Sequence, residues 1–239
     1  MTLILGALDG EIEELVAALD ERREERWHDH VFHLGRIAGE SVLVAKSGVG
    51  KVYSALIAQH LIDRYQADRV IFTGVAGALN PDYAIGDLVV ARDCLQYDMD
   101  ASALGFARGE VPYTALRELA CDPEMLRLAS TVPTESEGGH VGRILTGEHF
   151  VTPAGGGEYA FLREELLGDA VEMEGAAVAM VATVNELPFL IVRTVSDRAD
   201  AETGKRFAEV LSLAARHART LVRHVLENLR SLPGPSFND

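Results

Sequence analysis

Four acids stand where acids are costly. Glu172 and Glu174 head the otherwise apolar segment VEMEGAAVAM, the apolar run FLIVRTV ends on Ser196 and Asp197, and Glu11 follows the apolar stretch TLILGAL. A carboxylate beside an apolar run is expensive to bury unless something binds or protonates it. Gly and Ala dominate nearby, in GVAGA and EGAA, which leaves room for a ligand. Arg193 sits inside an apolar run and needs a carboxylate partner, Glu11 or Glu174, because an unpaired buried guanidinium is very costly. Two acid roles against an apolar wall suit cleavage of a glycosidic bond. One carboxyl, protonated, helps the leaving group; another, ionised, activates water or holds positive charge on the sugar. Different environments set the two roles.

Each acid also has a plainer reading. Glu11 in a first helical turn favours the helix dipole. Asp197 can cap the next segment, and Glu172 and Glu174 can end a strand in solvent. The four together are harder to dismiss, because the elements that must carry them place them alike. TLILGAL reads as a strand and residues 9–24 as a helix. Residues 30–48 give two extended segments around Ala38-Gly39, and residues 50–65 a helix. DRVIFTGVAGAL is a strand running into a small-residue loop, and residues 85–100 continue from a strand into polar residues. Residues 101–120 are irregular. Then follow helix 123–130, strand 140–147, helix 157–167, DAVEME, helix 175–186, strand 188–196 and a long helix from Lys205 to Leu229. Alternating helices and continuous apolar strands imply a largely parallel sheet covered on both faces. In such sheets, sites gather at the carboxyl ends of strands, where all four acids fall.

The 239 residues suit one domain, residues 1–230, with residues 231–239 as a mobile tail. A net charge of −15 argues against nucleic acid and anionic lipid as partners. Two cysteines without a CxxC pair, and an N-terminus without a basic region or a long apolar run, place the chain in the cytoplasm. SGVGKV is not a triphosphate-binding loop: Ala45 stands where the first glycine belongs and Val52 where the magnesium-binding hydroxyl belongs. His28, His30 and His33 alternate along an extended segment, His28 and His30 on one face, without converging zinc ligands.

The motifs GALDGE, SGVGKV, TGVAGAL, GDLVV, TGEHFV, VEMEGAAVA and VRTVSDRAD, in this order, resemble the bacterial methylthioadenosine/S-adenosylhomocysteine nucleosidases within the purine nucleoside phosphorylase family. The resemblance covers nearly the whole chain. It implies an α/β fold, a three-layer α/β/α sandwich around a central mixed, largely parallel sheet. It also implies a homodimer, and hydrolysis of the adenine N-glycosidic bond with no cofactor and no metal. Carried onto this sequence, Glu11 activates water, Asp197 protonates the adenine ring, and Glu174 and Met173 contact the ribose. Phe150 stacks on adenine and the Val151 backbone reads its edge, while Ser196 and Arg193 match supporting positions, and Glu172 and Val75 count among the substrate-binding residues. Leu8, Val49, Phe106 and Phe207 match the wall around the 5′-thio substituent. Leu104 and Pro112 match positions given by a partner subunit, whose loop 101–116 closes the site.

Departures exist. Val75 replaces a serine beside the catalytic aspartate, Leu104 replaces a common phenylalanine, and Asp9-Gly10 replaces a pair of acids. Phe72 and Val75 stand where related phosphorylases carry arginine and serine, and a glutamate at position 11 would repel phosphate. These points favour hydrolase over phosphorylase. A nucleosidase for futalosine or its aminated form, and a non-catalytic nucleoside-binding protein, are the alternatives.

Overall fold

The computed structural model describes residues 1–132, 139–151, 157–197 and 203–229, with side chains in the last segment from residue 208 onward. The C-terminal tail 231–239 and the Phe207 side chain lie outside the described residues. In chain order the elements are β1 (Thr2–Gly6), α1 (Asp9–Ala17), β2 (Asp20–Trp27), β3 (His30–Ile37), β4 (Glu40–Lys46), α2 (Lys51–Tyr65), β5 (Arg69–Phe72), β6 (Val75–Ala78) and β7 (Leu88–Gln96). They continue as β8 (Leu119–Ala120), α3 (Pro123–Ala129), β9 (Gly139–Thr146), α4 (Ala160–Glu164), β10 (Ala170–Glu172), α5 (Gly175–Val184), β11 (Phe189–Asp197) and α6 (Thr203–Leu229).

Strand alternation builds the layers. Leu3, Leu43, Val70 and Ile191 face one way and pack with Ile57 and Leu61 of α2 and Val178 and Ala182 of α5. Their neighbours Ile4, Val44, Ile71 and Leu190 face the other way, against Ile12 and Leu15 of α1, Met125 of α3, and Leu221 and Val225 of α6. Period-2 alternation of apolar residues on both faces thus demands a helical layer on each side of the sheet.

The eleven strands run in the order β2-β3-β4-β1-β5-β11-β6-β10-β9-β7-β8, with β7 also pairing β11. The middle is parallel: β1 pairs β4 and β5, and β11 pairs β5 and β6. The antiparallel pairs are β2 with β3, β3 with β4 and β7 with β8 towards the edges, β6 with β10, and β7 where it returns to β11. That return closes β11, β6, β10, β9 and β7 into a ring of strands. The acids lie where this ring meets the open half of the sheet.

Three expectations change. The first helix stops at Ala17, and the charged run DERREERW forms the edge strand β2, exposed along most of its length and antiparallel to β3. Helix propensity in that run yields to pairing with an otherwise open sheet edge, where charged side chains suit the solvent. The small residues VAGA, expected as loop, form β6 between β11 and β10. His28 lies in the β2–β3 turn at φ 50°, so it does not alternate with His30 along a strand.

Candidate active site

Glu11 is buried in the first turn of α1. Its Oε2 accepts the Leu8 N–H at 2.9 Å, as an acid at the third helical position does. Its Oε1 accepts the Val75 N–H at 3.1 Å. The plain reading of Glu11 as a helix-start acid therefore holds for one oxygen, while the other ties α1 to β6. Burial raises its pKa, against the pull of Arg193 and of the backbone N–H groups of Leu8, Val75 and Ala7. A Cβ at Gly74 would come within 2.7 Å of Glu11 Oε1, and one at Gly77 within 3.1 Å of Asp197 Oδ1. These glycines make room for the acids themselves.

Arg193 is fully buried on β11, and its partner is Glu172, not Glu11 or Glu174. Nη2 donates to Glu172 Oε2 at 2.6 Å and Nε at 3.3 Å. Nη1 donates to the carbonyls of Phe72 and Val192 at 3.2 and 2.9 Å, and the guanidinium lies 4.3 Å from the centre of the Phe72 ring. Glu172 Oε2 also accepts the N–H groups of Glu174 and Gly175, while Thr146 Oγ1 donates to Oε1 and accepts from the Ala176 N–H. One carboxylate thus neutralises the buried cation and satisfies the first N–H groups of α5.

Glu174 caps that helix with its side chain turned away, and its Oε1 accepts the Gly50 N–H at 2.8 Å. Its pKa is pushed up to about 8, first by burial and then by the charge of Glu172. Asp197 ends β11 just past a bulge that falls between Val195 and Asp197. Such an extra residue re-aims the side chains that follow it. Ser196 Oγ donates to Asp197 Oδ2 at 2.8 Å, with the Ala76 carbonyl 3.3 Å away.

Glu11, Glu172, Glu174 and Asp197 open onto one cavity of about 230 Å³, lined as well by Leu8, Val49, Val75, Phe150, Val151, Met173 and Ser196. Arg193 stands behind this lining. Ala7, Ala76, Gly77, His149 and Val171 also line it and were not read from the sequence. His149 was findable as the neighbour of Phe150. The others are small or apolar residues that no chemical signal marks. Phe106 does not line this cavity; its ring meets Tyr113 edge-on at 5.3 Å. Leu104 is exposed in a 3-10 turn, and neither it nor Pro112 reaches the cavity. No lysine or arginine is among the described lining residues.

Residues 2–227 match the Phosphorylase superfamily. The 5′-methylthioadenosine/S-adenosylhomocysteine nucleosidase of Geobacillus thermodenitrificans is 35% identical over 95% of this chain and 97% of its own. This chain belongs to that nucleosidase family. The family's solved structures carry the same fold. That of the nucleosidase from Colwellia psychrerythraea in complex with adenine is 31% identical, with a TM-score of 0.89 over 95% of both chains. A futalosine hydrolase mutant of Helicobacter pylori is 31% identical, with a TM-score of 0.86 over 95% of this chain and 98% of its own. As a family member with this cavity, the chain brings an apolar chamber together with carboxyls in different environments.

Proposed function

We propose that the chain hydrolyses the N-glycosidic bond of adenine nucleosides, methylthioadenosine and S-adenosylhomocysteine, to adenine and a 5-thioribose derivative. The observation that carries this reading is the convergence of Glu11, Glu174 and Asp197 on a single cavity with an apolar wall. Asp197 gives a proton to a ring nitrogen of adenine as the bond to the sugar carbon breaks. Glu11 takes a proton from the water whose oxygen bonds that carbon. Glu174, when ionised, accepts hydrogen bonds from the ribose hydroxyls. Phe150 stacks on the purine, Met173 lies against the ribose, and Leu8 and Val49 form the wall for the 5′-thio group, with Phe207 as the sequence assigns it. Water is favoured over phosphate because Arg193 is engaged by Glu172, and no other cation stands among the described lining residues to hold a dianion.

The protein acts as a cytoplasmic homodimer in this reading. Val52, Leu56 and Tyr53 on α2, with Leu104 and Tyr113 of loop 101–116, are large apolar side chains left exposed on one chain. A partner copy would cover them and bring its Leu104 and Pro112 to the site. Among the described residues, no helix is long and apolar enough to cross a membrane.

Parallel assays of adenine release from methylthioadenosine, S-adenosylhomocysteine, adenosine and aminofutalosine test the reading. Methylthioadenosine should exceed adenosine in kcat/KM by the equivalent of about 1–3 kcal/mol, the range for one small apolar group. Preference for aminofutalosine would favour the second reading, which the likeness to the Helicobacter pylori hydrolase supports. Binding without release of adenine would make the chain a nucleoside-binding protein.

A further inference from the structure

SGVGKV, which departs from the triphosphate-binding pattern at Ala45 and Val52, supplies Gly50 and Lys51 at the start of α2. The Gly50 N–H holds Glu174 at 2.8 Å. Lys51 grips the opposite side of the site with two groups. Its backbone N–H donates to Glu148 Oε1 at 2.9 Å, and its Nζ donates to Asp98 Oδ1 at 2.6 Å and to Gln96 Oε1 at 3.1 Å. Asp98 Oδ2 in turn accepts the Glu148 N–H at 3.0 Å, closing the circuit. Glu148 lies two residues before Phe150, and the next carbonyl, of His149, accepts the Tyr97 hydroxyl at 3.2 Å. Gln96 Nε2 reaches Met180 Sδ on α5, the helix that Glu174 caps. The Lys51–Asp98 pair is mostly buried, at 17% and 18% side-chain exposure. An ion pair so enclosed is screened less by salt than a surface pair and holds its geometry more firmly. Gly50 has φ 90°, and a Cβ there would come within 2.8 Å of Glu148 Oε2, so the two segments meet closely.

We propose that Lys51 is a positioning residue: it clamps the start of α2, which holds Glu174, to the loop that carries Phe150. This rests on the nucleosidase reading above. Without the ammonium, the ribose-binding carboxylate and the purine-stacking ring lose their common anchor, and both faces of the nucleoside are held less closely. A misplacement of about 1 Å at such a site is enough to cost about a hundredfold in rate. The charged and polar groups facing Glu174 are Glu172 from β10, Glu11 from α1, Arg193 from β11 and the Gly50 N–H from α2. Of these, the clamp governs the Gly50 N–H, which lowers the Glu174 pKa.

The test compares wild type, Lys51→Met and Lys51→Arg. Readouts are kcat and KM for methylthioadenosine across pH, the Kd of formycin A (a fluorescent, non-hydrolysable adenosine analogue), and thermal stability. Lys51→Met should raise KM and the formycin Kd by about tenfold or more. The acid limb of kcat/KM should move to higher pH, since Glu174 loses a hydrogen bond that favours its ionised form. Lys51→Arg should recover much of the loss, because a guanidinium can also span to Asp98. If Lys51→Met does not fold, Asp98→Asn removes the same ion pair while keeping side-chain shape, and the same shifts are expected. A folded variant with wild-type KM, Kd and pH limb would overturn the clamp, as would a loss of stability alone. Wild-type hydrolysis of methylthioadenosine tests the functional reading separately. If it is absent, that reading falls, and the formycin titration still decides the clamp.

Discussion

Glu172 accepts the backbone N–H of Glu174 at 3.1 Å while its charge raises the Glu174 pKa. The two carboxyls lie two residues apart, and only Glu172 is paired with a cation. One is spent on holding Arg193 and the start of α5, and the other stays available to a ligand.

Arg193→Met should destabilise the fold strongly, because it leaves the Glu172 charge buried without its partner. Removing one member of a buried pair typically costs about 3–5 kcal/mol. At about 2–4 °C per kcal/mol for a chain of this size, the melting temperature should fall by about 6 °C or more. Calorimetry within a degree or two of wild type would show the pair to be dispensable.

Glu174 makes stability depend on pH. Its folded pKa, about 8, lies above the ordinary value of 4.5, so the folded chain holds this proton more tightly than the unfolded chain. Its contribution is fully present below about pH 4.5 and is lost as pH rises through about 8. Glu174→Gln cannot ionise. Its melting temperature relative to wild type should therefore rise between about pH 5 and about pH 8 and level off above that. A difference that stays constant over that range would contradict the burial argument.

Glu11→Gln keeps the shape and, with its single amide oxygen, can still accept one of the N–H groups of Leu8 and Val75, but it cannot take a proton from water. Turnover of methylthioadenosine should collapse while formycin A still binds with nearly wild-type affinity. Wild-type turnover in this variant would reduce Glu11 to the helix-start acid that its Leu8 contact also makes it.

Asp197→Asn preserves size and can still meet the Ser196 hydroxyl, yet has no proton to transfer. General acid catalysis typically contributes about 10²–10⁴-fold, and turnover on adenine nucleosides should drop by that order. A nitrophenyl riboside, whose leaving group is already acidic, should lose far less. Equal losses on both substrates would mean that Asp197 holds the sugar or the fold instead.

Much of this arrangement was legible in one dimension. Alternation in TLILGAL and FLIVRTV announced strands covered on both faces, and the structure places Leu3 and Ile4 in opposite helical layers. The acids were found because carboxylates at the ends of apolar runs stand out by type. DERREERW was misread because a charged run carries no apolar period, and its pairing with β3 depends on a vacant sheet edge that local sequence does not display. Phe106 was matched to the wall of a cavity that one chain does not line with it.

The sequence by itself determined that Arg193 must have a carboxylate, because burial of a guanidinium among apolar neighbours allows nothing else. It also set the positions of Glu11, Glu174 and Asp197 at strand ends. Only the tertiary structure decided which acid answers Arg193. Strand β6, made of VAGA, lies between β11 and β10, and the Arg193 guanidinium meets Glu172 at the end of β10. That order arises from pairings between segments far apart in the chain, and it leaves Glu174 to meet Gly50 across the cavity, 124 residues away. A charge partner is chosen by distance in space, and sequence separation carries no record of it.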